Sequence, residues 1–169
     1  MGRKVLLSLF IVCILAGCGK SASNKENTSE NTKKNKNEYI CTKKGIEDSS
    51  GGKSWKKDIT HTAKLDDDGK LTYYSTKDEN TYESKADCEY WCDIKVKWND
   101  EINAKNYTGG HRVTTCKCEN NILIEEYVYD DIANLAPILR SDIRQLKSDN
   151  TFDLDTWLDK RKNNGYNCD

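Results

Sequence analysis

The sequence predicts an α+β domain, with an antiparallel sheet of about four to five strands packed against a long helix, shorter C-terminal helices and stabilising disulfides. Three observations predict this class. Stretches rich in β-branched and aromatic residues alternate with period two. One segment between them changes to helical spacing, and further helical segments follow near the C-terminus. Residues 39–169, the expected globular domain, contain six cysteines, an even number that favours pairing.

The first three strands are expected in the first third of the domain. Residues 39–42 are interpreted as a short strand and residues 55–65 as a second. Four side chains of the second strand share one face: Ile59, His61, Ala63 and Leu65. Asp-Asp-Asp-Gly at residues 66–69 indicates a hairpin turn into a third strand at residues 71–76. The clustered aspartates also suggest calcium, but the remaining spacing of an EF-hand loop does not follow.

A long helix is expected after Ser84, which forms a start like a capping box with Asp87. Side chains at helical spacing then form one stripe over about 18 residues: Cys88, Trp91, Cys92, Lys95, Trp98 and Ile102. Because Trp91 and Trp98 share the stripe with the cysteines, we interpret them as core residues rather than as a platform for ligand stacking. Gly109-Gly110 is interpreted as the turn that ends the connection.

A second hairpin and the C-terminal helices complete the expected fold. Residues 111–118 alternate, and residues 122–129 are rich in Ile, Val and Tyr, with Glu-Asn-Asn between them as the turn. Residues 132–146 have the apolar spacing of a helix that Pro137 must kink or restart. A last short helix is expected from a cap at Asp153, through Trp157 and Leu158, to an end near Gly165.

The N-terminal residues have the layout of an export signal. Arg3 and Lys4 precede an apolar run at residues 5–14 that is too short to span a membrane, and Leu-Ala-Gly leads directly into Cys18. This order resembles the lipoprotein signals that signal peptidase II cleaves. The resemblance implies removal of residues 1–17, acylation of Cys18 with chains such as palmitate, and attachment to the bilayer at the outer face of the cell membrane. The alternative is an ordinary signal or helix with a chance cysteine.

Residues 18–38 are expected to form a disordered polar tether. No large apolar side chain is present to offset the entropy of ordering, and residues 19–37 contain five lysines against two glutamates. These lysines either contact an anionic membrane or only keep the linker solvated. The whole chain has 27 basic and 28 acidic residues and a formal net charge of −1, which is not basic enough for a nucleic-acid partner.

Helix and strand rises predict how the cysteines pair. Cys88 and Cys92 are about 6 Å apart along the helix, and Cys116 and Cys118 are about 6.6 Å apart along a strand. If the chain reverses at Gly109-Gly110, the two cysteines of the helix lie opposite the two cysteines of the strand at nearly equal spacing. We call these four cysteines the cysteine ladder. We therefore predict three disulfides: Cys92 with Cys116, Cys88 with Cys118, and, by elimination, Cys41 with Cys168. Free thiols or a four-thiolate zinc site at the four cysteines of the ladder are the alternatives.

Short motifs in residues 39–169 resemble those of the YehR-like small lipoproteins. The motifs lie near the start of the domain, in the first turn, after the second hairpin and after the last helix: Cys41-Thr42, Asp68-Gly69-Lys70, Tyr129-Asp130-Asp131 and Gly165-Tyr166. The resemblance implies an α+β envelope lipoprotein of unassigned activity. It provides no catalytic residue that can be carried over.

No pattern in the sequence indicates a reaction or a cofactor, and the calcium and zinc sites considered above are alternatives rather than the expected outcome. His61 and His111 lie outside recognisable catalytic motifs, and Glu125 and Glu126 fit the two alternating faces of a strand. We therefore expect a non-catalytic domain that binds an envelope component or a small ligand. The alternative is a wall- or peptide-directed hydrolase that uses acidic residues. A pocket with two carboxyl groups of raised pKa would favour the hydrolase.

Overall fold

One antiparallel sheet of six strands dominates the computed structural model, which describes residues 37–105 and 107–169. The elements follow in the order β1 (Glu38–Ser50), β2 (Lys53–Leu65), β3 (Leu71–Tyr82), α1 (Lys85–Asn103), β4 (Gly110–Lys117), β5 (Ile122–Tyr129), α2 (Pro137–Arg140), α3 (Leu154–Asn163) and β6 (Asn167–Cys168). The strand order in the sheet is β4-β5-β3-β2-β1-β6. The antiparallel sheet agrees with the predicted class, but the sheet has six strands rather than four or five.

The first hairpin is much longer than the predicted strand at residues 39–42. β1 pairs with β2 from Glu38 opposite Lys64 to Ser50 opposite Lys53. Gly51 and Gly52 connect the two strands with φ values of 60° and 76°, as a two-residue turn with both central residues in the left-handed region requires. The sequence did not indicate this length because residues 43–50 are mostly polar. Main-chain pairing with β2, rather than apolar alternation, holds them in the sheet.

The start of α1 agrees with the sequence. The Ser84 hydroxyl accepts a hydrogen bond from the backbone N–H of Asp87 at 3.1 Å and donates one to the Asp87 carboxylate at 2.7 Å. These two bonds satisfy a free amide of the first helical turn and orient the chain into the helix.

The predicted stripe along α1 is correct at its start and wrong at Trp98, whose side chain is 52% exposed. The buried side of the helix continues from Cys92 to Lys95, which contacts Glu125 of β5 at 3.1 Å, and then to buried Asn99, which bonds to Thr114 of β4. Trp98 precedes Asn99 and points about 100° away around the helix. Its ring lies beside the Lys95 ammonium, 5.3 Å from the ring centre.

Two separate hydrophobic clusters cover one face of the sheet. The C-terminal cluster consists of buried side chains from the strands and from the chain after β5: Cys41, Ala63, Leu71, Tyr74, Tyr129, Ile132, Leu135, Ile143, Phe152 and Trp157. The α1 cluster consists of Tyr82, Cys88 and Leu123, with Trp55, Trp91, Cys92 and Cys118 packed against them. The expectation of one long helix covering the sheet is therefore corrected. α1 covers one end of this face and the C-terminal residues cover the other.

Residues 132–146 do not form the single kinked helix that their spacing predicts. A 3₁₀ turn at Ile132–Asn134 is followed by α2, which has only four residues. Pro137 opens α2, where the missing N–H is not needed. Ile132, Leu135 and Ile143 are nevertheless buried, so the apolar spacing indicates the inward side of this segment rather than a continuous helix.

The chain ends with α3 and β6. The Asp153 carboxylate accepts a hydrogen bond from the backbone N–H of Thr156 at 3.2 Å, which confirms the expected cap. α3 ends before Gly165, also as expected. β6, which the sequence did not predict, pairs with β1 by placing Cys168 opposite Cys41. A strand of two residues is too short to show alternation.

Three disulfides fix the two ends of the covered face. They join Cys41 to Cys168, Cys88 to Cys118 and Cys92 to Cys116, with Cα–Cα distances of 4.0, 5.5 and 6.0 Å. The second and third of these pairs are the ones that the rises of helix and strand predict, and the first is the pair predicted by elimination. The signal at residues 1–17, Cys18 and all of the tether before Asn37 lie outside the described residues.

Candidate functional site

A polar cavity of about 280 Å³ lies beside α3 and is called the α3 cavity here. α3 and the residue after it contribute Trp157, Lys160, Arg161 and Asn164. These positions have the i, i+3, i+4, i+7 spacing of one helical face, so a single face of α3 forms one wall. The remaining lining residues are Tyr74 of β3 and three residues after α2: Asp142, Arg144 and Gln145.

The loop after α2 is held in place by Arg140. Its guanidinium donates to the side-chain oxygen of Asn150 at 2.9 Å, to the carbonyl of Lys147 at 2.6 Å and to the carbonyl of Ile132 at 3.3 Å. Bonds from one planar group to three points along the chain define the path of the loop. The loop therefore presents Arg144 to the cavity from a fixed backbone.

Arg161 is the most constrained cation of the cavity. One of its terminal nitrogens donates a hydrogen bond to the Tyr74 hydroxyl at 3.1 Å. The guanidinium carbon lies 5.7 Å from the ring centre of Trp157 and 5.4 Å from that of Tyr166. Contacts with two aromatic faces and one hydroxyl orient the guanidinium plane.

Two N–H groups of the cavity wall are buried and have no acceptor among the described residues. They are Nε of Arg161 and the indole Nε1 of Trp157. A buried donor that forms no hydrogen bond costs about 1–3 kcal/mol, and native proteins contain few of them. Both groups belong to side chains that line the same cavity. Each of these two nitrogens has less than 1 Å² of accessible surface, so they lie within the cavity wall rather than on its surface.

The balance of charge in the α3 cavity is positive. Arg144, Lys160 and Arg161 face a single carboxylate, that of Asp142. The Asp142 carboxylate already accepts a hydrogen bond from the Tyr129 hydroxyl at 3.0 Å. Burial, and then the negative charge of Asp142, raise the pKa of Tyr129, so this hydroxyl remains a donor at neutral pH.

His61 lies behind the cavity, in the sheet. Its Nδ1 is 2.9 Å from the Thr76 hydroxyl and 3.5 Å from the Tyr74 hydroxyl, the group that also bonds to Arg161. Burial, and then the positive charge of Arg161, lower the pKa of His61 to about 3. His61 is therefore neutral at physiological pH, and the positive charge of this region comes from arginine and lysine.

The buried position of His61 predicts how stability depends on pH. The unfolded chain binds a proton at His61 near about pH 6.5, whereas the folded protein does so only near pH 3. His61 therefore stabilises the fold above about pH 6.5, and this contribution is lost progressively as the pH falls toward 3. Between about pH 8 and about pH 5, we expect constant NMR resonances of the His61 ring and a smaller loss of stability in His61→Gln than in the wild type. A ring that titrates near its ordinary pKa would contradict this prediction.

A second polar group, the carboxylate pair, lies between the two hydrophobic clusters. Asp78 of β3 and Glu125 of β5 are directly opposite each other in the sheet. Lys57 lies 3.5 Å from Asp78, and Lys95 lies 3.1 Å from Glu125. Burial raises the pKa of Asp78, and the charge of Glu125 raises it further against the opposing effect of Lys57. Each carboxylate has its own lysine, and neither lines the α3 cavity. The pair therefore forms an ion-pair network within the covered face.

The positions of the cysteines and of Asp66 bear on the two metal alternatives, zinc and calcium. The four cysteines proposed as zinc ligands are joined in disulfides, so their sulfurs are not thiolates. The carboxylate of Asp66 accepts hydrogen bonds from the backbone N–H groups of Asp68 and Lys70 at 3.0 and 2.8 Å, as expected for a turn. Within the two described ranges, no group of three or more His, Cys, Asp and Glu side chains is arranged to hold a metal ion.

The sequence indicated only part of the α3 cavity. It placed Trp157 on a C-terminal helix but assigned no role to Arg144, Lys160 or Arg161. Their shared helical face with Trp157 was a usable signal for Lys160 and Arg161. The approach of Arg144 and Tyr74 to that face is a tertiary contact without a local sequence signal. His111, the second histidine of the chain, is exposed, and its Nδ1 lies 3.9 Å from the Asp130 carboxylate.

No helix in the described part of the chain is both long enough and apolar enough to span a membrane.

Neither the fold nor the cavity can be assigned through similarity to a known protein. The sequence matches no protein-family model, and its comparison with curated proteins and with solved structures finds no significant match.

Proposed function

We propose that this protein is a lipoprotein, anchored through acylated Cys18 at the outer face of the cell membrane, whose folded domain binds a small ligand without catalysis. The observation that carries the binding role is the α3 cavity, which Arg144, Lys160 and Arg161 line together with a single carboxylate, that of Asp142. A bound ligand can balance this excess of positive charge. The anchor is supported by the order of charge, apolar run, small residues and cysteine in residues 1–18.

The disulfides support a location outside the cytoplasm. All six cysteines of residues 39–169 are paired. Disulfides persist in oxidising compartments and are rare where thioredoxin and glutathione keep thiols reduced. A chain that is exported before it folds meets this condition, as a lipoprotein does.

Binding is a better match to the geometry than hydrolysis by acidic residues. The α3 cavity contains one carboxylate, that of Asp142, and Tyr129 already donates a hydrogen bond to it. Asp78 and Glu125 are close to each other, but each is neutralised by a lysine. A hydrolase of the proposed kind needs two carboxyl groups that converge on a substrate, one as acid and one as base or nucleophile. The α3 cavity instead offers donors and positive charge.

Mass spectrometry of the full-length protein isolated from its own membrane tests both parts of this proposal. We expect the first peptide to begin at Cys18 with a diacylglyceryl group, and the native mass of the intact protein to include a small non-covalent ligand. Cys18→Ala should abolish the lipid mass and release the protein from the membrane. Cys13→Ala, which changes a cysteine of the apolar run, is the matched control and should leave the protein lipidated.

Four outcomes would contradict the proposal. An intact soluble protein that begins after Cys18 would exclude the anchor, as would a mature chain that retains residues 1–17. A native mass equal to that of the lipidated chain alone would contradict ligand binding. Chemical conversion of the co-purified ligand by the pure protein would instead support the hydrolase.

A further inference from the structure

We infer that the ligand of the α3 cavity carries an oxyanion group, a phosphate or a carboxylate, which Arg161 binds together with Arg144 and Lys160. This inference rests on the proposed function, because it specifies the chemistry of a ligand in the same cavity. Three kinds of observation support it: unbalanced charge, the orientation of Arg161 and the size of the cavity.

The first support is that the three cations of the cavity form no ion pair with a carboxylate of the described residues. Among residues 37–105 and 107–169, no carboxylate oxygen lies within 4.0 Å of a side-chain nitrogen of Arg144, Lys160 or Arg161. Like charges that face the same cavity repel each other, and this repulsion is relieved by a bound anion. Asp142 supplies only one negative charge, which is shared with the Tyr129 hydroxyl.

The second support is the fixed orientation of Arg161. The bond to Tyr74 uses one N–H of the guanidinium, and the rings of Trp157 and Tyr166 hold its plane. An arginine offers five N–H donors in a rigid fork that matches phosphate and carboxylate oxygens. The single bond to Tyr74 leaves other terminal N–H groups of Arg161 without a side-chain hydrogen bond. An oxyanion that enters the cavity can accept hydrogen bonds from these terminal N–H groups.

The third support is size. A volume of about 280 Å³ corresponds to roughly nine water molecules at about 30 Å³ each. It lies just below the range of about 300–1,000 Å³ that is typical of sites for drug-sized ligands. The cavity therefore accommodates a small molecule or the charged end of a larger one.

Titration of the full mature chain with three simple probes tests the inference. The probes are inorganic phosphate, acetate and acetamide, the last being the neutral analogue of acetate. At constant ionic strength, we expect phosphate or acetate to shift the side-chain NMR resonances of Arg161 and Trp157 in a saturable manner, while acetamide leaves them unchanged. The preferred probe identifies the group: tighter binding of phosphate indicates a phosphate ligand, and tighter binding of acetate indicates a carboxylate.

Variants separate specific binding from a general ionic effect. Arg161→Lys keeps the charge but removes the planar fork, and we expect binding to weaken by at least about tenfold, the effect of losing a charged hydrogen bond. Lys160→Gln removes an exposed charge of the cavity and is expected to weaken binding by about two- to fivefold. Lys162→Gln is the matched control, because it removes an exposed lysine from the same turn of α3 that does not line the cavity.

The possible failures can be distinguished from each other. Equal weakening by Lys160→Gln and Lys162→Gln would overturn the inference, since it would show non-specific attraction by a basic helix. Saturable shifts with acetamide or with the co-purified ligand, and none with either anion, would overturn the oxyanion but leave the proposed binding function intact. If no probe shifts these resonances and the native mass shows no ligand, both proposals fail.

Discussion

Removal of the Cys41–Cys168 disulfide is expected to lower the free energy of unfolding by about 5 kcal/mol, because this bond closes a loop of 127 residues. A cross-link between distant residues reduces the entropy of the unfolded chain, and the reduction increases with the length of the loop. The disulfide also holds the two residues of β6 against β1, so its loss frees the C-terminus. The expected change is comparable to the whole stability of a small domain, about 5–15 kcal/mol.

Equilibrium urea unfolding of the Cys41→Ala/Cys168→Ala double variant, without reductant, measures this effect. The matched control is the Cys92→Ala/Cys116→Ala double variant, in which the deleted disulfide spans only 24 residues. The chain-entropy model predicts a loss of about 3.5 kcal/mol there. Cys41 is fully buried and Cys116 is exposed, so packing changes add to the first loss more than to the second. Equal losses, or a larger loss in the control, would show that loop length does not determine the effect.

The Cys88–Cys118 and Cys92–Cys116 disulfides could be predicted from the sequence because the prediction needed only the regular rises of a helix and a strand. A rise of about 1.5 Å per helical residue and of about 3.3 Å per strand residue makes Cys88–Cys92 and Cys116–Cys118 similar in length. The turn at Gly109 provides the reversal, with φ of +80°, and a Cβ there would lie 2.4 Å from the carbonyl oxygen of Asp131. The hairpin of β4 and β5 was also predictable, since residues 111–118 alternate and residues 122–129 are rich in Ile, Val and Tyr.

The structure differs from the sequence predictions where tertiary contacts outweigh the local pattern of residues. Trp98 appeared to continue the stripe that contains Lys95, but the buried side of α1 continues from Lys95, which pairs with Glu125, to Asn99. Residues 132–146 have helical spacing, yet short turns bury the same side chains without a helix. The polar half of β1 depends on pairing with β2, and polar sequence alone does not distinguish such a strand from a loop.

The α3 cavity was only partly predictable for the same reason. The spacing of Trp157, Lys160 and Arg161 places them on one side of a helix, which the sequence alone shows. The sequence does not show that Tyr74 lies 3.1 Å from Arg161, because 87 residues separate them. It also does not show that a loop held by Arg140 presents Arg144 to the same space. The convergence of positive charge follows from packing around Trp157.

Trp157→Ala is therefore expected to lower the free energy of unfolding by about 3–5 kcal/mol, as is typical for deletion of a buried aromatic side chain. Trp157 is 1% exposed and is the largest fully buried side chain among those described. Its ring centre lies 5.9 Å from that of Phe152 and 6.4 Å from that of Tyr74. Deletion leaves a void between α3 and the sheet that these rings cannot fill without moving.

Two further tryptophan variants separate loss of packing from other effects in the same urea unfolding measurement. Trp98→Ala removes the same side chain from a site that is 52% exposed, so we expect a loss of about 1 kcal/mol or less, mainly from its contact with Lys95. Trp157→Phe keeps an aromatic ring and removes an indole N–H that has no acceptor among the described residues, so it should be less destabilising than Trp157→Ala. If Trp98→Ala were as destabilising as Trp157→Ala, the outer side of α1 would have to be packed in solution. If Trp157→Phe were as destabilising as Trp157→Ala, the indole N–H rather than ring packing would determine the stability of this region.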